Sequence, residues 1–179
     1  MDENALPKVS IVTPSFNQAP FLEQTLLSVL GQDYPNLEYI VIDGGSTDGS
    51  CEIIQKYADR LAYWQSQPDH GQTDAINQGF AHATGEILAW LNSDDLLLPG
   101  AVSAAVKALQ EHPEAAMVYG DALLINAQGK TIGKFPAAQT DLRKLRRGYV
   151  HIPQQASFFR AELWRKVGPL DVSFYFAMD

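Results

Sequence analysis

Apolar and polar positions follow two alternating rhythms along the first part of the chain, one of strands and one of helices. Val9-Ser10-Ile11-Val12-Thr13 reads as a strand that Pro14 stops, and Leu37 to Ile42 as a second strand. Between them, Phe21, Leu22, Leu26, Val29 and Leu30 recur at helical spacing, which predicts a helix over 20–31 ending at Gly31. Ile53, Ile54 and Tyr57 share one face of a short helix, and Leu61 to Gln65 forms a third strand. Ala75, Ile76, Phe80 and Ala83 mark another helix. Ile87 to Leu91 is a fourth strand, followed by a helix over 100–111 that begins after Pro99-Gly100. Strands alternating with helices at this spacing predict βαβ units and a mainly parallel sheet.

The rhythm changes after about residue 115. Met117-Val118-Tyr119, Ala122 to Asn126 and Lys130 to Phe135 read as short strands, with Asn126-Ala127-Gln128-Gly129 as a hairpin turn. Arg143-Lys144-Leu145-Arg146-Arg147 reads as a short solvated helix, and Gln155 to Phe159 as a further strand. The expected fold class is therefore α/β: a mainly parallel open sheet flanked by helices, with a smaller antiparallel part. With 179 residues and no internal repeat or low-complexity linker, the chain reads as one domain with halves 1–115 and 116–179.

Composition narrows the setting. Hydrophobic residues at 46% and charged residues at 19% are ordinary for an α/β domain with a full core. A net charge of -8 argues against nucleic acid as a partner, which would call for a basic face. The lone Cys51 excludes an internal disulfide and fits a reducing compartment. No apolar run approaches the ~20 residues of a membrane helix, and the first residues lack a signal-peptide pattern, so the expected location is cytoplasmic. Phe174 to Asp179 reads like the middle of a segment, which leads us to expect a longer protein.

In open α/β sheets the ligand lies beyond the carboxyl ends of the strands. Four unusual segments fall there: Pro14 to Asn17, Asp43 to Asp48, Asp69 to Asp74, and Asn92-Ser93-Asp94-Asp95. The last follows the apolar run Ile87 to Leu91 and brings adjacent carboxylates to the sheet edge, where they repel and are costly to desolvate without a cation. Hard oxygen donors of this kind suit Mg²⁺ or Mn²⁺. A polar turn capping the next helix is the plainer alternative.

The loop Asp43 to Gly49 lacks the Gly-Lys-Ser/Thr of a P-loop, the G-x-G-x-x-G of a dinucleotide site and the glycine position of a calcium loop. Asp48 or Ser50 capping the next helix explains most of it. Asp43 is left over, a strand-end carboxylate able to accept from a base imide N–H. Asp74 and Asn77 share a helix face that could simply be solvated. His70 and His151 read as exposed histidines, with ligation the lesser alternative, and Cys51 as a packed filler. Arg143 to Arg147 reads as a solvated face, with an acidic acceptor or membrane phosphates as the alternative contact. No G-x-S-x-G elbow supports a serine nucleophile.

Taken in order, these motifs resemble family 2 glycosyltransferases of the GT-A fold. Val9 to Asn17 is similar to the opening strand and P-x-(Tyr/Phe)-N segment, and Ile40 to Gly49 to the D-(D/G)-G-S-x-D-G loop. Asp69 to Gly79 resembles a D-x-G-x-x-D-A-x-N-x-G stretch, and Leu91 to Asp95 with Pro99-Gly100 the D-x-D-D segment. The resemblance covers nearly the whole chain. It implies an inverting transfer of sugar from a nucleotide-diphosphate donor, UDP-linked, to a hydroxyl of a saccharide or lipid-linked acceptor of the cell-envelope polysaccharide type. It implies that residues 1–115 bind the donor and 116–179 face the acceptor.

Residue by residue, the resemblance implies that Pro14, Ser15, Phe16, Asn17 and Asp43 hold base and ribose. Asp69, Gly71, Asp74 and Asn77 would add to the nucleotide site, Asp94 would contact the ribose or metal, and Asp95 would coordinate Mg²⁺ or Mn²⁺. Asp179 falls where the general base is expected. It also implies that the full-length protein works at the inner face of a membrane. Three positions depart from the pattern: Asn92 stands where Asp is frequent, Met178 replaces Glu, and no basic residue accompanies Asn77. A non-catalytic nucleotide-sugar-binding domain is the alternative these departures suggest. A nucleotidyltransferase would need a Gly-rich phosphate loop with Arg or Lys near residue 14, which Ser15-Phe16-Asn17-Gln18 does not supply.

Overall fold

A computed structural model describes residues 6–174. Strands β1 (Val9–Ser15), β2 (Leu37–Asp43), β3 (Tyr63–Ser66) and β4 (Ile87–Trp90) run parallel, and β8 (Ser157–Arg160) adds to β4 antiparallel. Strand β5 (Met117–Tyr119) pairs antiparallel with β8, giving six strands in the order β3-β2-β1-β4-β8-β5. A separate antiparallel hairpin joins β6 (Ala122–Ile125) and β7 (Thr131–Phe135), with an irregularity between Leu124 and Ile125.

Helices α1 (Ala19–Leu30), α2 (Ser50–Lys56) and α4 (Ala101–Glu111) cover one face of the sheet. Their Leu22, Leu26, Val29, Ile54, Val102 and Val106 pack on Val9, Ile11, Val41 and Ala89 of the strands. The other face is covered by α3 (Gln72–His82) and α6 (Ala161–Val167), whose Ala75, Ile76, Phe80 and Ala161 meet Val12, Ile40, Ile42, Leu88 and Phe159. Phe80 lies at the centre of an aromatic group with Trp90, Phe159 and Trp164, at centroid separations of 6.2, 5.7 and 4.6 Å. Strands buried on both faces explain the near-continuous apolar runs of β1, β2 and β4. The short α5 (Leu142–Arg146) is exposed throughout, as its sequence implies.

Four details differ from the sequence expectation. Pro14 does not stop β1, which continues to Ser15 beside Ile42 and Asp43. The Val12 carbonyl accepts from Leu91 N–H and the Ser15 carbonyl from Gly44 N–H, each at 2.9 Å. Alternate residues of β1 thus turn to β4 and β2, and Pro14 turns to the β4 side, where the pairing has already ended at Trp90. Its missing N–H therefore costs no ladder bond.

Strand β3 starts at Tyr63 because Ala58–Arg60 forms a 3₁₀ turn and Leu61 packs on the core before the ladder begins. Gln154–Ala156 is likewise a 3₁₀ turn, so β8 begins at Ser157. Helix α6 was not expected from the apolar spacing. Among the described residues no helix is long and apolar enough to cross a membrane.

Candidate functional site

The chain travels outward from β1 through β2 to β3, then returns past β1 to form β4. The loops after β1 and β4 therefore part in opposite directions, which opens a crevice at the carboxyl edge. All four segments singled out in the sequence lie at this edge, and hydrogen bonds or close packing link each to the next.

The first link joins the loops after β1 and β2. Asn17 adopts a left-handed backbone, φ 52°. Its N–H donates to Ser46 Oγ at 2.8 Å, and its Oδ1 accepts from Thr47 N–H at 2.9 Å. The fully buried Asp43 organises this loop from within. Its Oδ2 accepts from Gly45 N–H, Ser46 N–H and Ser66 Oγ at 3.2, 2.9 and 2.6 Å, and its Oδ1 from Ser46 Oγ at 2.6 Å. Asp48 ties two helix starts together, accepting from Ala19 N–H of α1 at 2.9 Å and from Ser50 N–H of α2 at 3.0 Å. The Ser50 hydroxyl at 2.6 Å, followed by these backbone donors, holds the Asp48 carboxyl below its usual range. Phe16 stands out at 61% exposure, whereas Ser15 is buried with its hydroxyl lacking a hydrogen-bond partner.

The second link joins these loops to the one before α3. A β-carbon on Gly44 would lie 3.0 Å from Asp69 Oδ2, so the Asp69 carboxylate rests against the Gly44 backbone. Burial raises the Asp69 pKa; the Gly71 N–H bond at 2.8 Å opposes the shift, and Asp74 and Asp43 add to it. Gly71, at φ 103°, allows the turn into α3 that most side chains would strain. Asp74 accepts from His70 N–H at 3.1 Å and from Gln78 Nε2 at 3.0 Å.

The third link runs from α3 to the loop after β4. Gln72 Nε2 donates to Asn92 Oδ1 at 2.6 Å. Asn92 Nδ2 reaches Gln154 Oε1 at 3.4 Å and Asp95 Oδ2 at 3.5 Å, and Gln154 Nε2 donates to the Trp90 carbonyl at 2.7 Å. Beneath the loop, the Thr25 hydroxyl of α1 lies 2.9 Å from the carbonyls of both Ser93 and Asp95. Burial, and then the adjacent Asp94, push the Asp95 pKa up to about 6, against the donation from Asn92. Asp94 is exposed. Asp95 also lines a cavity of about 440 Å³ whose other walls are largely apolar, among them Ala105, Ala108, Val118, Leu123 and Phe158.

Among the described residues, no three His, Cys, Asp or Glu side chains gather to hold a metal ion. Asp94 and Asp95 offer two carboxylates side by side. Such a pair fits a cation that takes its remaining ligands from a diphosphate and water. Burial, with Asp94 adjacent, makes ionisation of the Asp95 carboxyl costly, a cost that a bound cation would lower.

Not every expected residue belongs to the cluster. The amide of Asn77 is engaged at both ends with the backbone of Leu170, which gives it a structural task. Asp179 and Met178 lie outside the described residues. His70 is exposed, His151 stacks on Phe135 at 6.2 Å, and Cys51 is a partly buried free thiol. Thr25, Ser66, Gln72 and Gln154 were not singled out in the sequence. Gln72 falls within the Asp69 to Gly79 stretch, and the paired amides Gln154-Gln155 before Phe158-Phe159 are a signal for the last.

The family model for glycosyl transferase family 2 matches residues 10–168. An uncharacterized glycosyltransferase of Mycobacterium tuberculosis is 39% identical over 176 residues, covering 97% of this chain and 66% of the relative. A PGL/p-HBAD biosynthesis glycosyltransferase of Mycobacterium bovis is 33% identical over 181 residues, covering 98% of this chain and 68% of its own length. Among solved structures, the mannosyltransferase PcManGT from Pyrobaculum calidifontis, in complex with GDP-Man and Mn²⁺, superposes with TM-score 0.70 at 26% identity. That match covers 96% of this chain and 49% of the other. Staphylococcus aureus TarS in complex with UDP-GlcNAc shares the fold, with TM-score 0.71 at 22% identity over 89% of this chain and 47% of its own. The chain thus spans about two thirds of these curated relatives and about half of these structures.

Proposed function

This chain belongs to glycosyl transferase family 2, and on that premise we propose that it forms the donor-binding part of an inverting enzyme. The donor is a nucleotide-diphosphate sugar, UDP-linked, and the acceptor is a saccharide or lipid-linked hydroxyl. The observation that carries the reading is the unbroken series of contacts Asn17–Ser46, Gly44–Asp69 and Gln72–Asn92, which gathers four strand-end segments around one crevice.

In this reading Pro14 to Asn17 and the Asp43 loop receive the base and ribose. Exposed Phe16 offers a ring face for the base. Asp69, Gly71 and Asp74 close the donor side, and Asn77 acts through the Leu170 segment it carries. Asp95 would hold Mg²⁺ or Mn²⁺, with Asp94 beside it at the ribose or the metal; the bound ion would supply positive charge for the departing nucleoside diphosphate. The acceptor oxygen displaces the diphosphate at the anomeric carbon, and its proton passes to a carboxylate, for which we propose Asp179. The largely apolar cavity lined by Asp95 is the space proposed for the acceptor side.

Titration calorimetry of UDP into the purified chain, with and without Mn²⁺, tests the reading, with GDP as the control for base preference. Mn²⁺-dependent UDP binding that is lost in Asp95→Ala is expected. Unchanged binding in that variant would remove Asp95 from the metal role. A binding-only reading draws on Asn92, whose amide stands beside Asp95 where a carboxylate would add a ligand. Sugar transfer by a longer form of the protein, abolished by Asp179→Asn, would exclude it.

A further inference from the structure

Charge is divided unevenly along this acidic chain. Residues 1–115 hold four Lys or Arg against sixteen Asp or Glu, a net of -12. Residues 116–179 hold nine against five, a net of +4. The positive excess is concentrated further, because residues 122–150 contain six basic side chains and a single acidic one, Asp141.

Most of that excess lies on one excursion of the backbone. Ala138 N–H donates to the His151 carbonyl at 3.2 Å, which closes residues 138–151 into a loop whose ends meet. Tyr119 Oη donates to the Ala138 carbonyl at 3.2 Å, and so fastens the base of the loop to β5. Within it, the Asp141 carboxylate caps α5 through the N–H groups of Arg143 and Lys144 at 2.8 and 2.9 Å. Every residue from Asp141 to Val150 is exposed. Among the described residues, none of Arg143, Lys144, Arg146 and Arg147 forms an ion pair, whereas nearby Lys134 is engaged with Asp121 at 2.6 Å.

Four large apolar side chains share this excursion. Leu142 is 62%, Leu145 40%, Tyr149 60% and Val150 53% exposed. Leu142 and Leu145 are three apart on α5, and Tyr149 N–H folds back onto the Lys144 carbonyl at 3.0 Å. Solvated charge alone accounts for the cations but gives no reason to hold four apolar groups in water among them. A surface with negative charge outside and hydrocarbon just beneath suits both sets at once. Arg and Lys stems can lie along that hydrocarbon while their heads stay at the phosphate level.

We propose that residues 138–151 are a docking surface for an anionic lipid bilayer. The inference does not depend on the reading of the strand-end loops as a donor site. It places an acidic body, with its crevice, on a basic and apolar foot.

Co-sedimentation of the purified chain with vesicles tests it, using phosphatidylcholine alone and phosphatidylcholine mixed with phosphatidylglycerol. Binding to the mixed vesicles only, weakened by salt, is expected. Replacing Arg143, Lys144, Arg146 and Arg147 together by Gln should lower partitioning at least about 100-fold. Leu142→Ser with Tyr149→Ser should weaken binding while keeping its salt dependence. All these positions are exposed, and an unchanged thermal melt confirms that the variants fold. Failure to bind either vesicle, equal binding to both, or full binding by the Gln variant overturns the proposal. Self-association without lipid, abolished by the Gln variant while vesicles stay unbound, would assign the surface to a second copy of the chain and overturn it too.

Discussion

The side-chain amide of Asn77 holds both backbone polar groups of Leu170, donating to its carbonyl at 2.9 Å and accepting from its N–H at 2.9 Å. Through this pair, α3 carries the segment that follows α6. Asn77→Ala leaves both groups without their partner and should lower unfolding free energy by about 1–3 kcal/mol. Asn77→Asp should cost more, because a carboxylate can accept from the N–H but only repel the carbonyl. Urea denaturation of both variants checks this ordering.

Asp43 concentrates four donors on one buried carboxylate. Asp43→Ala leaves two N–H groups and the Ser46 and Ser66 hydroxyls facing a void, with an expected loss of about 3 kcal/mol or more. Asp43→Asn keeps the size but turns an NH₂ toward donors, and should be nearly as damaging. Thermal melts measure the loss. A melt matching the parent would mean that the loop does not depend on this carboxylate.

Asp95 should give a pH dependence of the opposite sign to that of a salt-bridged carboxylate. Its folded pKa of about 6 lies above the ordinary carboxylate value, so the folded state binds the proton more tightly. The stabilising contribution is complete at low pH and is lost as pH rises through about 6. For a partly buried group screened by solvent we expect about 1–2 kcal/mol across that window. Chemical denaturation of the metal-free chain and of Asp95→Asn over the same range should show this loss in the parent and not in the variant.

Helix α3 crosses β1 so closely that a β-carbon on Gly79 would lie 2.3 Å from Val12 Cγ1 and 2.9 Å from Cγ2. Gly79→Ala gains about 1 kcal/mol of helix propensity but overpacks a stiff, buried valine, a cost of about 1–3 kcal/mol. The cost should win, making the variant less stable. In a Val12→Ala background only the tight 3.2 Å contact with Cβ remains, and the cost of the same change should shrink markedly. A double-mutant cycle reads this coupling. Gly85 provides the contrast: its added carbon would meet the Ser10 nitrogen at 2.7 Å and the Lys8 carbonyl at 2.9 Å, backbone atoms that no side-chain trimming removes.

The parallel half of the fold was legible because its signals are local. β1, β2 and β4 carry apolar runs bounded by Gly, Pro and Asp, and the helices between them repeat at their own spacing. Where an element depends on distant partners, the reading slipped. Whether β1 continues through Pro14 depends on where β4 ends, a fact about Trp90 that no window around residue 14 contains. Helix α6 was missed because Trp164 and Leu163 gain their meaning from Phe80 and Phe159 across the sheet. In the crevice, the strand-end carboxylates were visible as residue types, but not their tasks. Asn77 looked like a free amide on an open face until Leu170, 93 residues away, was brought to it.

The sheet order has a consequence for how the chain is made. Strand β4 receives its outer neighbour from residues 157–160, and among the described residues β5 pairs with no other strand of the sheet than that same β8. A ribosome therefore releases Ile87 to Trp90 long before Phe159 and Arg160 exist to cover their edge. During that interval the nascent protein carries an open strand border, and β5 waits beside it unpaired. Stalling or truncation ahead of Ser157 would leave that border open, so safe synthesis rests on a four-residue strand made well after β4.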